Sequence, residues 1–297
     1  MVFTWLPDWK HNQAMDVNLD TGKLIVFLGG LFLMLLIETF APARGWQTGR
    51  LKRLLFHGSI ALVNTVLIRL LVYVPLLLWI VRVEQEGWGL SRWLGLTGYT
   101  ELLVSVIVLD LFDYFWHRAN HRVPLLWRFH KTHHTDPGMD VTTALRFHPG
   151  ELVISALVKA LWIVLWGPTV IAWFVFECLV SFSAQFHHAN IDFSDSIETD
   201  LSKIIVTPRY HASHHAVDRS YGDANFSTIL SCWDRLFGSY NRPASAAATA
   251  WTEGSLGLPE APLKPFSFQS WLFDPVNKSN LSLSRAGSRS GKGKIKY

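Results

Sequence analysis

Residues 58–81 read GSIALVNTVLIRLLVYVPLLLWIV and contain a single charge, Arg69. At about 1.5 Å of rise per residue, a helix of this length crosses a hydrocarbon core of about 30 Å. A second run over residues 24–40, LIVFLGGLFLMLLIETF, is charged only at Glu38 and is nearly as long as a span requires. It begins too late for a signal peptide and has no small-residue cleavage site. Both runs predict retained membrane helices.

Two weaker apolar runs follow. Residues 102–116 form a shorter run that contains Asp110 and Asp113, and residues 152–186 form a long run broken at Gly167-Pro168. The dipeptide predicts the tip of a helical hairpin, because proline lacks a backbone donor and glycine permits a tight turn. A buried soluble core can also contain such runs, but the number and length of these favour a membrane. We therefore predict an all-α, polytopic membrane helical bundle with about four membrane-inserted segments.

The distribution of charge between the runs predicts how the bundle is oriented. The segment between the first two runs carries four basic residues and no acid, whereas residues 82–92 balance two arginines with two glutamates. By the positive-inside rule, the first segment is cytoplasmic and the N-terminus lies outside. Continuing the count through the third run and the broken run brings both His117 and Phe186 to the cytoplasmic face.

The overall composition excludes several other classes of protein. The net charge of +4 is modest, and basic residues are not interleaved with aromatics on a compact domain, so nucleic acid is not a predicted partner. The two cysteines, Cys178 and Cys232, are far apart and signal neither a disulfide framework nor a thiolate metal site. The Ser- and Gly-rich tail after Asp274 contains basic residues but no acid. It is predicted to be disordered and either to bind anionic membrane lipids or to remain solvated.

Eleven of the 13 histidines lie between His117 and His215, most of them at spacings that share a helix face. Imidazole suits iron, zinc, copper or nickel, and eight such ligands exceed the four that one tetrahedral zinc takes. Two metal ions therefore fit the count better than one. A single pair four residues apart can arise by chance, and a histidine-rich storage tract would not contain the intervening Trp, Phe and Pro residues. The predicted core ligands are His117, His121, His130, His133, His134, His211, His214 and His215.

Three further histidines lie near these groups in the sequence. His188 follows the broken run at its cytoplasmic end and is predicted to complete the site from a separate helix. His187 points about 100° away on the same helix and is more typical of a surface or interfacial residue, with a role as a metal ligand or as support for one left open. His148 precedes a proline and so lies off a regular helix, where it could bind the metal or support a ligand. His11 and His57 lie outside this region and are interpreted as ordinary residues.

Two aspartates share a helix face with His117. Carboxylates in an apolar run are costly unless paired, and a metal-binding histidine usually donates its second ring N–H to a carboxylate. Asp113, one turn before His117, is the preferred candidate for that role. Asp110 is equally typical of a residue that hydrogen-bonds between helices.

The order and spacing of these elements resemble the sterol desaturase and fatty acid hydroxylase superfamily of membrane-bound histidine-box enzymes. The resemblance covers residues 102–240 and rests on DYFWHRANH at 113–121, HKTHH at 130–134, RFHP at 146–149, FHHAN at 186–190, TPRYHASHH at 207–215 and CWDRLFG at 232–238. It implies membrane anchor helices and a cytosolic histidine-rich cap that holds two iron ions, for which zinc could substitute on purification. It also implies O₂-dependent hydroxylation or desaturation of a fatty-acyl or sterol-like lipid. Asn225-Phe-Ser227 departs from the Asn-Tyr-Gly common in the family, so a local turn different from the family's is expected there.

No dinucleotide-binding or haem-attachment motif is present, so a separate electron-transfer protein or reductase is predicted to supply electrons. We predict membrane anchor helices over residues 1–101, a catalytic domain over residues 102–240 and a C-terminal extension over residues 241–297. Two other functions are open to a histidine-rich membrane protein. A zinc hydrolase would need a general base such as the glutamate of H-E-x-x-H, which is missing, and a metal transporter or sensor would place its ligands near the bilayer midplane.

Overall fold

The computed structural model describes residues 9–46, 49–241, 255–258 and 265–276. Regular structure within these residues is helical, and the two isolated β-bridges, Ile205–Leu230 and Ala216–Leu256, form no sheet there. The predicted all-α class is confirmed. The basic part of the tail, from Lys278 onward, lies outside the described residues.

The helices fall into long segments that build a bundle and short segments that build a cap at one end of it. A π-helical turn over Arg69–Tyr73 and a 3-10 helix over Val141–Leu145 interrupt the series. In chain order the α-helices are α1 (Trp9–Phe40), α2 (Arg50–Ile68), α3 (Val74–Gln85), α4 (Leu90–Trp93), α5 (Gly98–Arg122), α6 (Pro124–His134), α7 (Pro149–Trp166), α8 (Val170–His188), α9 (Asp195–Leu201), α10 (Pro208–His214), α11 (Arg219–Gly222), α12 (Cys232–Leu236) and α13 (Phe268–Phe273).

Three helices are long and apolar enough to cross a membrane: Thr21–Phe40 in α1, Pro149–Trp166 (α7) and Val170–His188 (α8). α2 and α3 together form a fourth candidate, bent by 51°. The single continuous helix expected over residues 58–81 is therefore wrong in detail. The π-helical turn is followed at once by Pro75, which lacks a backbone donor and crowds the preceding turn, and both features bend helices.

The predicted span over residues 102–116 lies inside α5, which does not pass the same test of length and apolarity among the described helices. Its acids are costly in lipid and have partners within the protein. Glu101 accepts hydrogen bonds from N and Oγ1 of Thr169, and Asp110 accepts one from Nε1 of Trp233 at 2.8 Å. α5 packs against α6, α7 and α8. Its polar side chains bond to neighbouring segments while Leu103 and Ile107 are exposed, which corrects the expectation of an independent apolar span.

The break predicted in the long apolar run is where α7 ends. Gly167 has a left-handed backbone (φ +74°), which glycine adopts without a steric penalty. Thr169 then begins α8, its Oγ1 accepting a hydrogen bond from N of Ala172. A Cβ on Gly89 would lie 2.3 Å from N of Gly167, so this turn packs backbone to backbone against the segment before α4.

α1 and α8 run in the same direction through the bundle. Towards their starts, Lys23 forms an ion pair with Glu177 at 3.4 Å. Near their ends, Glu38 accepts a hydrogen bond from the backbone N–H of Asn190 at 2.6 Å. This arrangement places the carboxyl ends of both helices on the side of the bundle that carries the histidines.

The loop after α6 is tied to α2 by a buried ion-pair network. Arg53 donates to Asp136 at 2.6 Å and to Asp140 at 2.5 Å, and all three side chains are almost fully buried. Burial alone would raise the pKa of Asp136, but Arg53 holds that pKa well below its usual value. His57, interpreted from the sequence as ordinary, is also fully buried here, with Nδ1 2.8 Å from Oγ1 of Thr142. The network fixes the segment that follows the histidines of α6.

Part of the C-terminal extension packs against the same region. Trp271 in α13 is 4% exposed, and its Nε1 donates to the carbonyl of Phe147 at 3.1 Å. The carbonyl of Leu272 lies 3.2 Å from Nε2 of His148, and Leu256 is buried against the loop after α6 and α10. The described parts of the extension therefore close over the cap.

Candidate metal centre

Nine histidines converge in two neighbouring groups at the ends of α5, α6, α8 and α10. Within each group, one ring nitrogen per residue lies within 4.8 Å of the others. The two groups touch, since the ring centroids of His134 and His215 are 4.2 Å apart. All nine histidines singled out from the sequence are brought together. The five-histidine group comprises His117, His121, His130, His134 and His214, and the four-histidine group comprises His133, His188, His211 and His215.

The two H-x-x-H-H motifs are divided between the groups by a simple rule. In α6, the residues four apart, His130 and His134, enter the five-histidine group, while His133 enters the other. In α10, His211 and the following cap residue His215 enter the four-histidine group, while His214 crosses to the first. Side chains four residues apart stand one above the other on a helix face, so each such pair meets a single centre. Each motif therefore supplies both groups.

The spacing of the ring nitrogens fits shared ions. Nε2 of His188 lies 3.0 Å from Nε2 of His133 and 3.1 Å from Nε2 of His211. Two nitrogens bound to one ion at about 2.1 Å lie about 3.0–3.4 Å apart when they subtend 90–110° at the ion. Nε2 of His121 and Nε2 of His214 are buried without a hydrogen-bond partner among the described residues. Buried acceptors left unpaired are costly, and a bound cation would satisfy them.

Backbone carbonyls orient several of the rings. Nδ1–H of His117 donates to the carbonyl of Phe226 at 2.8 Å, and Nδ1–H of His214 donates to that of Ala224 at 2.7 Å. Because a carbonyl only accepts, Nδ1 carries the proton in both rings, and Nε2 presents its lone pair to the group. Sequence reasoning missed this loop. Its signal was the Asn225-Phe-Ser227 departure, since Asn225 has a left-handed backbone (φ +60°) between the two carbonyls.

The loop that supplies these carbonyls is held by one aspartate. Asp234 accepts hydrogen bonds from the backbone N–H groups of Phe226 and Ser227 at 2.8 Å each. It also accepts from the hydroxyl of Tyr210 at 2.9 Å. The CWDRLFG element thus positions histidine partners rather than contacting the groups itself.

Burial disfavours the protonated form of most of these imidazoles, which suits metal binding. Burial, followed by the effect of neighbouring imidazoles, lowers the pKa of histidines in α5, α6 and α10 well below the usual value. Burial lowers the pKa of His214 to about 3. The other residues so affected are His117, His121, His133, His134, His211 and His215.

A buried carboxylate contacts the five-histidine group. Oε1 of Glu151 lies 2.8 Å from Nδ1 of His130, and Glu151 is 5% exposed. Its Oε2 has no hydrogen-bond partner in the described part of the chain. A carboxylate at this position fixes the tautomer of His130 and leaves Nε2 of that ring for a metal. This role had been expected of Asp113.

The two aspartates of α5 do not contact the histidines. Nδ1 of His117 is taken by the carbonyl of Phe226, and Asp113 instead has a side-chain hydrogen bond with Thr228. Asp110 accepts from Trp233 and from the backbone of the loop before α12, which is the helix–helix role weighed for it. The preferred assignment of Asp113 is therefore corrected. Sharing a helix face with His117 did not place it against that ring.

The remaining histidines lie outside the two groups. His148 caps α7, its Nδ1 accepting from N of Gly150 at 2.9 Å, and so serves the backbone. His187 is 2% exposed, with its ring centroid 4.0 Å from that of His211, which corrects the expectation of a surface residue. The side chain of His11 is outside the described residues.

A cavity of about 190 Å³ opens between α5, α7 and α8 beside the histidines. Histidines from both groups form part of its wall, and Glu151 lies next to them. Along α7 and α8 the wall continues with apolar and small side chains, and it includes Asp113 and Lys159. The arrangement sets a metal-binding geometry against a slot that reaches into the apolar bundle.

A polytopic helical membrane protein with paired histidine groups at one end is the class that this fold and site define. Residues 102–239 match the family model described as fatty acid hydroxylase. The match confirms the resemblance that the histidine motifs of this chain imply. With its apolar helices, the protein is an integral membrane protein.

Curated relatives are similar over about half of the chain. They include ornithine lipid hydroxylase OlsE of Rhizobium tropici, 26% identical over 50% of this chain and 44% of the relative. Human alkylglycerol monooxygenase is 31% identical over 43% of this chain and 28% of the relative, and human lathosterol oxidase is 26% identical over 50% and 48%. The chain thus spans less than half the length of each of these relatives. No solved structure matches it.

Proposed function

We propose that this protein is a membrane-bound, O₂-dependent hydroxylase or desaturase that oxidises a fatty-acyl or sterol-like lipid with two iron ions. The observation that carries the proposal is the pairing of two all-histidine groups with a cavity that reaches into the bundle. The five-histidine group would hold one ion and the four-histidine group the other. All nine residues are thereby assigned as ligands.

An unactivated carbon–hydrogen bond is too inert for acid–base chemistry by side chains, so a redox cofactor is required. Bound iron would supply one-electron and O₂ chemistry beside the cavity. The protein's own contribution is to present neutral imidazoles, fix their tautomers through Glu151 and the carbonyls of Ala224 and Phe226, and hold an apolar chain against them.

The choice of a lipid substrate rests on the cavity and on the relatives. The slot lies between helices that include two membrane spans, so an apolar chain reaches it from the bilayer. The relatives are named for an ornithine lipid, an alkylglycerol and lathosterol, all of which carry long or fused hydrocarbon parts. The cavity walls around Trp116, Leu152 and Val180 are apolar and accommodate a hydrocarbon chain.

The same proposal sets the topology and the partners. The positive-inside count places the histidine groups at the cytoplasmic face, where a separate electron-transfer protein or reductase delivers electrons. Residues 1–101 then act as anchor helices and residues 102–240 as the catalytic domain. The region 241–297 is an extension, part of which packs on the cap through Trp271.

Lipid mass spectrometry under isotopically labelled O₂ tests the proposal. Cells that make the wild-type protein should accumulate a lipid carrying one labelled hydroxyl, or an alkene with no label, and cells with His133→Ala should not. His148→Asn is the matched control, because it removes an imidazole outside both groups and keeps a helix-capping side chain. A zinc hydrolase would instead release a cleaved lipid without O₂, and a transporter or sensor would leave the lipids unchanged. Either result would overturn the proposal.

A further inference from the structure

Three ionisable side chains meet inside the bundle, and a fourth, Asp113, lines the histidine-lined cavity together with one of them. Nζ of Lys159 on α7 lies 2.7 Å from Oε1 of Glu177 on α8, and Nζ of Lys23 on α1 lies 3.4 Å from the other oxygen of the same carboxylate. Asp113 on α5 interacts electrostatically with Lys159. Charged groups within membrane helices are costly and commonly mark the path or site of a substrate.

The four residues of this cluster line two different cavities. Asp113 and Lys159 line the large cavity beside the histidines. Lys23 and Glu177 line a separate cavity of about 30 Å³ on the other side of α8. Glu177 accounts for one of the three donors of the Lys159 ammonium, and the Lys159 side chain is 26% exposed. Donors of Lys159 and acceptor capacity of Asp113 thus line the same cavity.

The distance from the histidines is set by α7. Lys159 follows Glu151 by eight residues, and Glu151 contacts His130. At about 1.5 Å per residue, Lys159 lies about 12 Å along α7 from Glu151, and Asp113 lies about 6 Å along α5 from His117. The intervening wall includes Leu152 and Ser155 on α7. An occupant must therefore be apolar in its middle and polar at the end near Lys159.

We propose that Asp113 and Lys159 form a subsite for a neutral hydroxyl or amide group of the lipid that is oxidised. Such a group accepts a hydrogen bond from Lys159 and donates one to Asp113, which neither an alkane nor a carboxylate can do. Charge balance favours a neutral group, because the two lysines already face two carboxylates, Asp113 and Glu177. The subsite rests on the proposed function, since it names the class of lipid that the same cavity would hold.

The competing explanation is that the cluster only ties helices together. Lys23 distinguishes a lipid subsite from a tie between helices, because it contacts the same Glu177 but does not line the large cavity. Lys159→Met and Lys23→Met are therefore matched substitutions. Each removes one lysine from Glu177, and only the first removes a donor from the cavity.

The experiment measures binding rather than turnover. Full-length metal-loaded protein in nanodiscs is titrated with a long-chain fatty alcohol, the corresponding primary amide and the alkane of equal length, followed by tryptophan fluorescence. Wild type should prefer the alcohol and the amide over the alkane by about tenfold or more, as expected for hydrogen bonds to charged groups. Lys159→Met should lose that preference, and Lys23→Met should keep it.

Two results would overturn the subsite: no preference in the wild-type protein, which requires no variant to fold, or equal loss of preference in both variants with a matching fall in Tm. Because binding is read without catalysis, the two proposals fail separately. A preference without any oxidised lipid would remove the oxidase proposal and leave the subsite. Oxidised lipid together with no preference for the alcohol or the amide would remove the subsite and leave the oxidase proposal.

Discussion

The two polar clusters of this molecule solve different electrostatic problems. The histidine cap gathers nine rings whose nitrogens lie within 4.8 Å of one another in each group, and it contains buried ring nitrogens with no partner among the described residues. The cluster in the bundle gathers four charged residues that already neutralise one another. Ring nitrogens whose lone pairs converge need a cation between them, whereas charged groups that balance one another do not. The cap therefore suits a bound metal, and the inner cluster suits the neutral polar group that we propose.

The largest effect is expected from removing a ligand of either histidine group. His133→Ala acts on the four-histidine group and His214→Ala on the five-histidine group, and we expect each to abolish lipid oxidation because a shared two-ion centre does not tolerate a missing imidazole. Single-turnover oxidation in nanodiscs measures this. His148→Asn should retain wild-type rates, and full activity in His133→Ala or His214→Ala would remove that residue from the site.

The next effect concerns the frame that holds the cap. Arg53→Met leaves Asp136 and Asp140 buried and unpaired, which should lower the free energy of unfolding by about 3–5 kcal/mol. Arg82→Met breaks an exposed pair with Glu86 and should cost less than about 1 kcal/mol. Thermal and denaturant unfolding in detergent compares the two. Equal stability of both variants would show that the buried network does not fix the cap.

A smaller effect distinguishes the two carboxylates that were candidates for a histidine partner. Glu151→Ala should weaken metal affinity by about 10–100-fold, because His130 loses the acceptor that fixes its tautomer. Glu151→Gln should recover part of this loss, since an amide oxygen still accepts. Asp113→Asn should leave metal affinity at the wild-type value. Titration with Fe²⁺ under anaerobic conditions measures all three, and a loss confined to Asp113→Asn would restore the assignment made from the sequence.

The sequence was most informative where function depends on local spacing. Residues four apart on a helix meet the same centre whatever the rest of the fold does, which accounts for three pairs among the nine clustered histidines named from the chain alone. The rule that divides each H-x-x-H-H motif between two groups was not foreseen. It depends on how α6 and α10 face each other, which no single motif encodes.

Features that depend on contacts between distant segments were missed or misassigned. Glu151 lies 21 residues beyond His130 and begins a membrane helix, so nothing local linked them. Asp113 shares a face with His117, yet the carbonyl of Phe226, 109 residues away from His117, takes the ring proton. Helical periodicity gives the direction of a side chain but not the identity of its neighbour.

The bend in the second apolar run shows the same limit in the membrane part. Hydropathy recognised enough apolar length over residues 58–81, but the π-helical turn and Pro75 divide it into two helices at 51°. Proline was visible in the sequence. Its effect depends on whether neighbouring helices allow the segment to remain straight.

The measurement that tests the central claim most directly is the metal content of the purified protein. Protein purified from iron-supplemented cells should contain about two metal ions per chain, one for each histidine group, and His133→Ala and His214→Ala should each lose at least one. Elemental analysis against quantitative amino-acid analysis gives the ratio. A single ion in the wild-type protein, unchanged in either variant, would contradict the assignment of two metal sites.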